Sequence, residues 1–393
     1  MKKAFFLFII VIVSCTSNNH IDLEPHETKL LVVDPSKLAI MDDSEYDIID
    51  VVSLDLPKGI STIIPKDIQI VNDYIYILDE EINKTVFLYD MDGKLIGQMG
   101  RVGHARNEYT NKPECLSIDD KTGIAYVYDR GSRRILKFDS TGKYLESVTL
   151  EKFVPGCFVV TDSQNYICCF EDGNNASDDG NNPIGSQLSL YDKDGEHIKA
   201  FLPSPENHKL SLIGKPIYKN KGKISCVPYL ADSIVVFSGD ELDYTIKIDF
   251  CGQFVSEEIK KKSMEEGTFS YIYKHKGVQF IDQFELTDSI LHIGYAYNLS
   301  RSHFVKNRKN GKTYNTTFGP LFRGYCPVCD FFVTNDKLVY YIEEEDVNKL
   351  LVKNAEMNNP SEVLKHRKAS SPKMLDIMDK KYNFPLIMMV KLK

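Results

Sequence analysis

The chain has 393 residues and a formal net charge of −8 at pH 7, because 56 Asp and Glu outnumber 48 Lys and Arg. This acidic balance, with no stripe of Lys or Arg along the chain, excludes nucleic acid as a partner. The absence of Trp argues against a dedicated platform for stacking sugars, although 22 Tyr leave aromatic contacts to a ligand open.

The N-terminus has the pattern of an export signal. Lys2 and Lys3 precede ten apolar residues, Ala4–Val13. A helix of this length spans about 15 Å and cannot cross a hydrocarbon core of about 30 Å, so a cleaved signal is predicted. The residues before Cys15 read Ile-Val-Ser and resemble a bacterial lipobox, which implies that Cys15 becomes the acylated, palmitate-bearing first residue of the mature protein. The alternative is an ordinary signal peptide with a cysteine near its end.

The chain therefore divides into a signal peptide at residues 1–14, a lipidated cysteine with a flexible tether at 15–45, and a folded domain at 46–393. The predicted tether is polar and contains Pro25 and Pro35. Stable anchoring needs more than one acyl chain, because a single chain binds a membrane weakly.

A repeated unit organises the folded domain. Its second half is an apolar pair followed by Asp, two residues and Gly, as in LYDMDG at residues 88–93 and KFDSTG at 137–142. The six copies are anchored at Asp90, Asp139, Asp192, Asp249, Asn307 and Asn354, at intervals of 49, 53, 57, 58 and 47 residues. Such intervals are typical of propeller blades.

Each copy has the composition of a β-hairpin, with β-branched and aromatic residues before a turn in which Gly takes a positive φ. The first strands of the six hairpins are predicted at Tyr74–Asp79, Ala125–Asp129, Tyr166–Phe170, Ile234–Phe237, Leu291–Ala296 and Leu338–Glu343. A lone hairpin cannot bury both of its faces, so the units must stack into a closed array. The sequence predicts an all-β fold, a six-bladed β-propeller, ahead of a β-sandwich or an open β-solenoid.

Both ends of the folded domain contain a strand pattern without a hairpin partner. Asp47–Leu56 precedes the first full unit, and Pro385–Lys391 follows the last. Pairing of these segments in one blade would remove two free strand edges. We therefore predict that the N- and C-terminal strands close the propeller.

The linker between the first two units, residues 100–113, reads GRVGHARNEYTNKP. Together with the YVYD strand and the run Arg134–Asp139 that follow, it resembles an NHL repeat, and more closely the TolB-like six-bladed propeller lipoproteins of Bacteroidetes. The resemblance is tight over residues 66–150 and continues by spacing to the end of the chain. It implies that this linker crosses one mouth of the central channel.

Charged and aromatic residues concentrate in this linker and in a partial copy of it before the sixth unit. We predict that they form a rim for an anionic or sugar-like ligand, because guanidinium groups hold carboxylates through paired hydrogen bonds. The predicted ligand-binding residues are Arg101, His104, Arg106, Glu108, Tyr109, Arg323 and Tyr325. The alternative is that Glu108 and an arginine merely pair to fix the linker, which contributes little when exposed.

Two further patterns indicate structural roles. Asp172, Asn174 and Asp178 lie in a hairpin insertion, but their order does not match a calcium loop, so a solvated tip is predicted. Residues 255–266 and 361–381 have helical spacing and are predicted to pack on a face of the ring.

The cysteine and histidine patterns predict no metal site and no cofactor. Cys326 and Cys329 are spaced Cys-Pro-Val-Cys, which fits a local disulfide or two buried thiols, because a second metal-binding pair is missing from the sequence. The histidines within or near blade segments are His104, His275, His292 and His303. Their spacing leaves a zinc site between blades open, but no His-x-His or His-x-Glu pairing favours one.

We predict a monomeric, membrane-anchored protein of the bacterial cell envelope, on the periplasmic or surface side of the outer membrane. It is expected to bind a small ligand or a protein partner at the channel mouth. The alternative is a hydrolase or lyase with a channel site, with or without a metal. The sequence contains no nucleophile elbow, phosphate loop or dinucleotide motif, which favours binding over catalysis.

The lipid attachment predicts a specific effect of Cys15→Ser. This variant should move the protein from the membrane fraction to the soluble fraction of cells, because it removes the sulfur that carries the lipid. Fractionation with immunodetection measures the change, and Cys251→Ser is the matched control that should stay in the membrane fraction. A Cys15→Ser protein that remains membrane-bound after signal cleavage would contradict the prediction.

Overall fold

The computed structural model describes residues 27–150, 154–170, 186–203, 216–316, 331–349 and 372–393. The described residues form six small β-sheets that are arranged as the blades of a six-bladed β-propeller, so the predicted fold class is confirmed. The predicted lipid site Cys15 and the pair Cys326 and Cys329 lie outside these residues, as does the hairpin insertion with Asp172. Among the described helices, none is long and apolar enough to cross a membrane.

The strands follow the blades in chain order. Two strands come first, β1 (Glu27–Val32) and β2 (Tyr46–Ser53). Blade 1 contains β3 (Asp67–Val71), β4 (Tyr74–Asp79), β5 (Thr85–Asp90) and β6 (Leu95–Met99). Blade 2 contains β7 (Cys115–Ile118), β8 (Ala125–Asp129), β9 (Arg134–Phe138) and β10 (Tyr144–Thr149). Blade 3 contains β11 (Cys157–Val160), β12 (Tyr166–Cys169), β13 (Ser186–Tyr191) and β14 (His197–Pro203).

The second half of the ring repeats this order. Blade 4 contains β15 (Ile217–Asn220), β16 (Lys223–Cys226), β17 (Ser233–Ser238) and β18 (Glu241–Asp249). Blade 5 contains β19 (Val278–Leu286), β20 (Ile290–Tyr297), β21 (Ser300–Asn307) and β22 (Thr313–Thr316). Blade 6 contains β23 (Phe331–Thr334), β24 (Lys337–Ile342), β25 (Leu386–Leu392) and β2. The first strand named for each blade is the innermost, because the inner strands of neighbouring blades contact one another.

Helices of the described residues lie outside the sheets and include α1 (Glu257–Glu266), α2 (Ser270–Lys274) and α3 (Pro372–Met378). Helix α1 begins where the Ser256 side chain accepts a hydrogen bond from the backbone N–H of Ile259, and it ends at Gly267 in the left-handed conformation. The predicted helical spacing of residues 255–266 is therefore confirmed, and Val255 is buried beside this helix.

Blade 6 is assembled from both ends of the domain. Strand β2 pairs antiparallel with β25, with Asp47 opposite Lys391 and Val52 opposite Ile387. The sixth repeat anchor, Asn354, predicts the third strand of this blade beside it, but β25 takes the third position and pairs with β24. The reason is burial, because Leu386–Val390 form a continuous apolar run that is buried on both faces, as a central strand requires.

The N-terminal segment is more ordered than a tether. Strand β1 pairs in parallel with β18 as a fifth strand of blade 4, although it lies within the predicted tether of residues 15–45. Farther along, Ala39 exchanges two backbone hydrogen bonds with Asn315 of blade 5, at 2.8 Å each. The segment joins the edge of β18 because the unpaired backbone groups of an edge strand accept a further strand. The chain therefore contacts blades 4 and 5 before it enters β2 in blade 6.

The apolar core lies between neighbouring blades. Tyr76 and Leu88 of blade 1, for example, pack against Leu116 and Val127 of blade 2. Comparable clusters lie at the other blade junctions. Each blade therefore buries its two faces only in contact with its neighbours, which makes closure of the ring a condition for stability.

The repeated Asp-x-x-Gly turns connect the third and fourth strands of blades 1, 2 and 3. Asp90 Oδ1 accepts hydrogen bonds from the backbone N–H groups of Asp92 and Lys94, at 3.0 and 2.9 Å. Gly93 has a φ of 82°, and a Cβ atom at this position would lie 2.0 Å from the carbonyl oxygen of Ser53 in β2. This glycine is therefore required both by the turn and by contact with the closing strand.

A substitution of Gly93 tests the contact with the closing strand. Gly93→Ala should lower the free energy of unfolding by about 3 kcal/mol, because the methyl group adds a clash with β2 to the strain of a positive φ. Gly252→Ala is the matched control, since Gly252 has a φ of 74° with nothing within 4 Å of its Cβ position. The free energy of unfolding of Gly252→Ala should fall by only about 1 kcal/mol. Denaturant midpoints measure both values, and equal losses would show that the contact with β2 does not matter.

Candidate functional site

A cavity of about 790 Å³ lies on the axis of the ring. The inner strands of all six blades contribute to its wall. Each blade contributes to the lining. One example from each, in the order of blades 1 to 6, is given by Asp67, Leu116, Phe158, Tyr218, Gln283 and Phe331. The wall thus combines apolar side chains with separated polar groups, which is the usual composition of a small-molecule site.

Tyr218 spans one side of this cavity. Its hydroxyl group donates a hydrogen bond of 2.6 Å to the carbonyl oxygen of Val333, which joins blade 4 to blade 6 past the inner strand of blade 5. Burial raises the pKa of Tyr218 well above its ordinary value, and the nearby carboxylates Glu285 and Asp67 add to the effect. The phenol therefore stays neutral, and its hydrogen bond holds the ring in place.

The turns between the first and second strands of the blades surround one end of the cavity. We call them the hairpin ring, which comprises residues 72–73, 119–124, 161–165, 221–222, 287–289 and 335–336 together with the strand ends beside them. The Ile70 N–H of blade 1 donates to Thr334 Oγ1 of blade 6 at 3.1 Å. Asn72 Nδ2 of blade 1 donates to the Asp120 carbonyl of blade 2 at 3.0 Å. Blade 1 is thereby joined to both of its neighbours.

An ion-pair chain continues the hairpin ring through blades 2, 3 and 4. Asp162 Oδ2 lies 3.1 Å from Lys121 Nζ, and Asp162 Oδ1 lies 3.3 Å from Lys219 Nζ. Burial alone would raise the pKa of Asp162, but the two lysines lower it below its ordinary value. The Lys219 side chain is only 5% exposed, and apart from the ion pair with Asp162 its Nζ has no hydrogen-bond partner among the described residues. This ammonium group in the cavity wall therefore keeps donor capacity for a ligand.

The remaining junctions of the hairpin ring join blades 4, 5 and 6. Lys221 Nζ lies 3.0 Å from Asp288 and 3.3 Å from Asp336. The Ser289 N–H donates to Asp336 Oδ1 at 2.8 Å. All six junctions between neighbouring blades are therefore bridged by polar contacts among the described residues of the hairpin ring.

A second group of charges lies at the opposite end of the cavity. Lys112 Nζ contacts Glu80 at 3.0 Å and Glu81 at 2.6 Å, and Glu80 also pairs with Lys66. Lys66 Nζ donates to the carbonyl of Glu114 at 2.9 Å, and both Lys66 and Glu114 line the cavity. The hydrogen bond to Glu81, with the further bond to Glu80, raises the pKa of Lys112. The end of the linker at residues 100–113 is thus tied to the cavity edge.

The predicted linker residues are placed beyond that edge. Arg101 Nε pairs with Glu108 Oε1 at 2.7 Å, and Glu108 Oε2 accepts from the Ala105 N–H at 2.8 Å. The Ala105 N–H, followed by Arg101, lowers the pKa of Glu108. Tyr109 is fully buried and donates its hydroxyl hydrogen to the carbonyl of Met99. These contacts fix the shape of the linker.

The other predicted site residues do not meet these in the described structure. His104 and Arg106 are exposed on the same linker, whereas Arg323 and Tyr325 lie outside the described residues. The cavity wall, as far as the described residues form it, contains none of residues 101–109. Ligand binding by this rim stays a prediction.

A buried polar chain in blade 5 was not predicted as a unit. Glu285 contacts His292 Nδ1, and His292 Nε2 lies 3.0 Å from His303 Nδ1. Phe331 covers both imidazole rings, with centroid distances of 4.6 and 4.8 Å. Burial, followed by the charges of His292 and Arg301, lowers the pKa of His303 well below its ordinary value. The histidines were recognised separately in the sequence, but their contact depends on the register of β20 and β21.

A disulfide in the cavity wall was also missed. Cys115 of β7 and Cys157 of β11 are joined, with their Cα atoms 5.7 Å apart, and both residues line the cavity. The sequence separation of 42 residues carries no local signal for this pair. Among the described residues, no group of three or more His, Cys, Asp or Glu side chains is arranged to hold a metal ion.

The low pKa of His303 predicts that stability falls with acidification. In the unfolded chain the pKa of His303 has its ordinary value of about 6.5, so below that pH the unfolded chain binds a proton that the folded protein does not. The contribution of His303 to the free energy of unfolding is therefore complete above about pH 6.5 and is lost as the pH falls. The free energy of unfolding should decrease from pH 7 to pH 5. His303→Gln should reduce this slope by up to about 1.4 kcal/mol per pH unit. His104→Gln, on the exposed linker, is the control, and equal slopes for all three proteins would refute the prediction.

Comparison with known proteins supports the same architecture. Residues 59–376 match the model of a family described as a domain of unknown function, DUF4934. A crystal structure from Bacteroides fragilis, described as an exported protein, has 15% sequence identity and a TM-score of 0.70, and the match covers 93% of this chain and 100% of that chain. A member of the DUF4221 family from Bacteroides vulgatus has 9% identity and a TM-score of 0.50, with 90% and 99% of the two chains covered. No curated protein matches this chain. Because the family model spans most of its length, the chain belongs to the DUF4934 family.

Proposed function

We propose that this protein is an exported, lipid-anchored binding protein of the cell envelope, which holds a small polar ligand in its central cavity. The observation that carries the proposal is the cavity of about 790 Å³, to which all six blades contribute. Its volume lies in the range of about 300 to 1,000 Å³ that is usual for ligand pockets.

The composition of the wall supports a polar ligand. Leu116 and Phe158 supply apolar surface, whereas Asp67, Gln69 and Gln283 supply hydrogen-bonding groups. Asp67 is 4% exposed and accepts a hydrogen bond of 2.7 Å from Gln69 Nε2. Few polar groups in fixed positions on an apolar wall orient a ligand and select for its pattern of donors and acceptors.

The charges around the cavity favour a ligand that carries oxygen atoms. Lys219 is buried in the wall and retains donor capacity, and Lys121 and Asp162 lie beside it. Because the lysines alternate with carboxylates, the wall provides both donors and acceptors. A carboxylate or hydroxyl oxygen that replaces water at Lys219 would complete the hydrogen bonds of the ammonium group.

Sequence and comparison support export. The signal pattern ends at Cys15, and a structure with the same fold is described as an exported protein. The disulfide between Cys115 and Cys157 fits an oxidising compartment. We propose that a lipid on Cys15 holds the propeller at the membrane surface.

The predicted rim would act as a second contact area for the same ligand. The linker that carries Arg101 and Arg106 reaches the cavity edge through Lys112 and its ion pairs with Glu80 and Glu81. An anionic ligand that enters the cavity from this side would contact these arginines first, and one that extends out of the cavity would stay in contact with them. We propose this rim as an entrance, separate from the buried groups that hold the ligand.

Ligand binding is tested with the purified full-length protein and a panel of sugars, amino acids and organic acids. We expect one class to raise the melting temperature, because a ligand that binds only the folded state stabilises it. For that ligand, Lys219→Met should weaken the affinity at least tenfold by calorimetry. Lys143→Met, on an exposed outer turn, is the matched control. The proposal fails if no class binds, or if Lys219→Met leaves the affinity unchanged.

The rim is tested separately with the double variant Arg106→Ala and Arg323→Ala. We expect weaker binding of an anionic ligand, by a larger factor than the salt dependence of exposed charges explains. Titrations at about 0.05 and 0.5 M salt measure both effects. An unchanged affinity in the double variant, together with a loss in Lys219→Met, would place the ligand in the cavity alone.

A further inference from the structure

We propose that Cys169 and Cys226 form a second disulfide that joins blades 3 and 4. Their Sγ atoms lie 3.4 Å apart, with Cys169 on β12 and Cys226 on β16. The two residues are 2% and 1% exposed. A disulfide requires the two sulfur atoms to approach to about 2.0 Å, which is about 1.4 Å closer than they lie here.

The pair continues the disulfide that is already formed. Cys115 of blade 2 is joined to Cys157 of blade 3, and Cys157 lies directly opposite Cys169 in the pairing of β11 with β12. Cys226 of blade 4 follows across the next junction. Four cysteines therefore lie in one row that crosses three blades and two blade junctions.

Neighbouring cysteines do not compete for this pairing. Cys168 precedes Cys169 on the same strand, and it packs in the cluster between blades 2 and 3, whereas Cys169 and Cys226 share the cluster between blades 3 and 4. Cys251 is exposed in the turn after β18, with its Sγ 3.9 Å from the Val33 carbonyl. Cys157, opposite Cys169, is already bonded to Cys115, so among the described cysteines Cys226 is the free thiol within reach of Cys169.

The bond forms by thiol–disulfide exchange with a disulfide-bonded oxidant, either a protein or a small molecule. One cysteine thiolate attacks the oxidant disulfide, and the other then attacks the mixed disulfide. The two cysteines lose two protons and two electrons, and the oxidant is released as two thiols. Burial raises the pKa of the Cys226 thiol well above its ordinary value. The exchange therefore takes place during folding, before blades 3 and 4 close on each other.

The second disulfide would strengthen the wall of the cavity. It closes a loop across 57 residues of sequence and restricts the unfolded chain accordingly. With the first disulfide it links blades 2, 3 and 4, which carry Cys115, Phe158 and Lys219 in the wall. The side of the cavity that contains the buried ammonium group is thereby fixed in shape.

The experiment uses the full chain, exported by its own signal and purified without reductant. The protein is denatured in iodoacetamide, digested and analysed by mass spectrometry before and after reduction. We expect a peptide with Cys169 linked to a peptide with Cys226, and no alkylation of either until reduction. Alkylation of both cysteines without reduction would overturn the proposal. The disulfide between Cys115 and Cys157 is the internal marker that oxidation took place.

Two variants distinguish a bond between Cys169 and Cys226 from a bond between Cys168 and Cys226. Cys168→Ser should keep the linked peptides, whereas Cys169→Ser should remove them and leave Cys226 open to alkylation. A link that persists in Cys169→Ser would show that Cys168 is the true partner. In wild-type protein the denaturant midpoint should fall on reduction by more than it falls in Cys226→Ser, which has only the first bond to lose. Equal shifts would also refute the second disulfide.

Discussion

The antiparallel pairing of β2 with β25 is the constraint on which the rest of the propeller depends. Each blade buries its apolar faces against two neighbours, so a gap at one junction would expose two faces at once. Blade 6 closes that gap because its third strand comes from the C-terminus and its outer strand from the N-terminus. Gly93 reinforces the closure, since the turn of blade 1 approaches β2 at a distance that no side chain allows. The N-terminal segment adds a second restraint by pairing with blades 4 and 5 before it enters blade 6.

Closure also creates the site. The cavity exists because six inner strands converge on one axis, and its shape is kept by contacts between blades. The hairpin ring bridges every blade junction at one end, and the hydroxyl group of Tyr218 ties blade 4 to blade 6. A ligand in such a cavity meets polar groups that are already in position, so less free energy is lost in ordering them on binding. The same contacts keep Lys219 buried beside Asp162, where an isolated ammonium group would be unfavourable.

The concentration of charge in residues 100–113 predicts a ligand-binding rim, and the structure shows which contacts these residues make. Glu108 binds Arg101 and the Ala105 N–H, and Tyr109 is buried against Met99, so these residues shape the linker whatever else they bind. The cavity residues carried little signal. Strands β7, β11 and β23 are four residues long and mainly apolar, and their sequences do not differ from those of ordinary buried strands. The polar groups of the cavity come partly from single positions such as Gln283, which acquire a role only when six strands meet.

The sequence by itself determined the number of blades, the closing strands, and the hairpins and turn glycines of blades 1, 2, 3 and 5. These features follow from local alternation and backbone geometry, which act over a few residues and repeat with the period of a blade. Only the tertiary structure decided the parallel addition of β1, the bond between Cys115 and Cys157 and the residues of the cavity wall. Each depends on side chains or strand edges that lie far apart in the chain, such as Tyr218 and Val333 at a separation of 115 residues. Their contact is set by how the blades pack around the axis, and no short stretch of sequence encodes that packing.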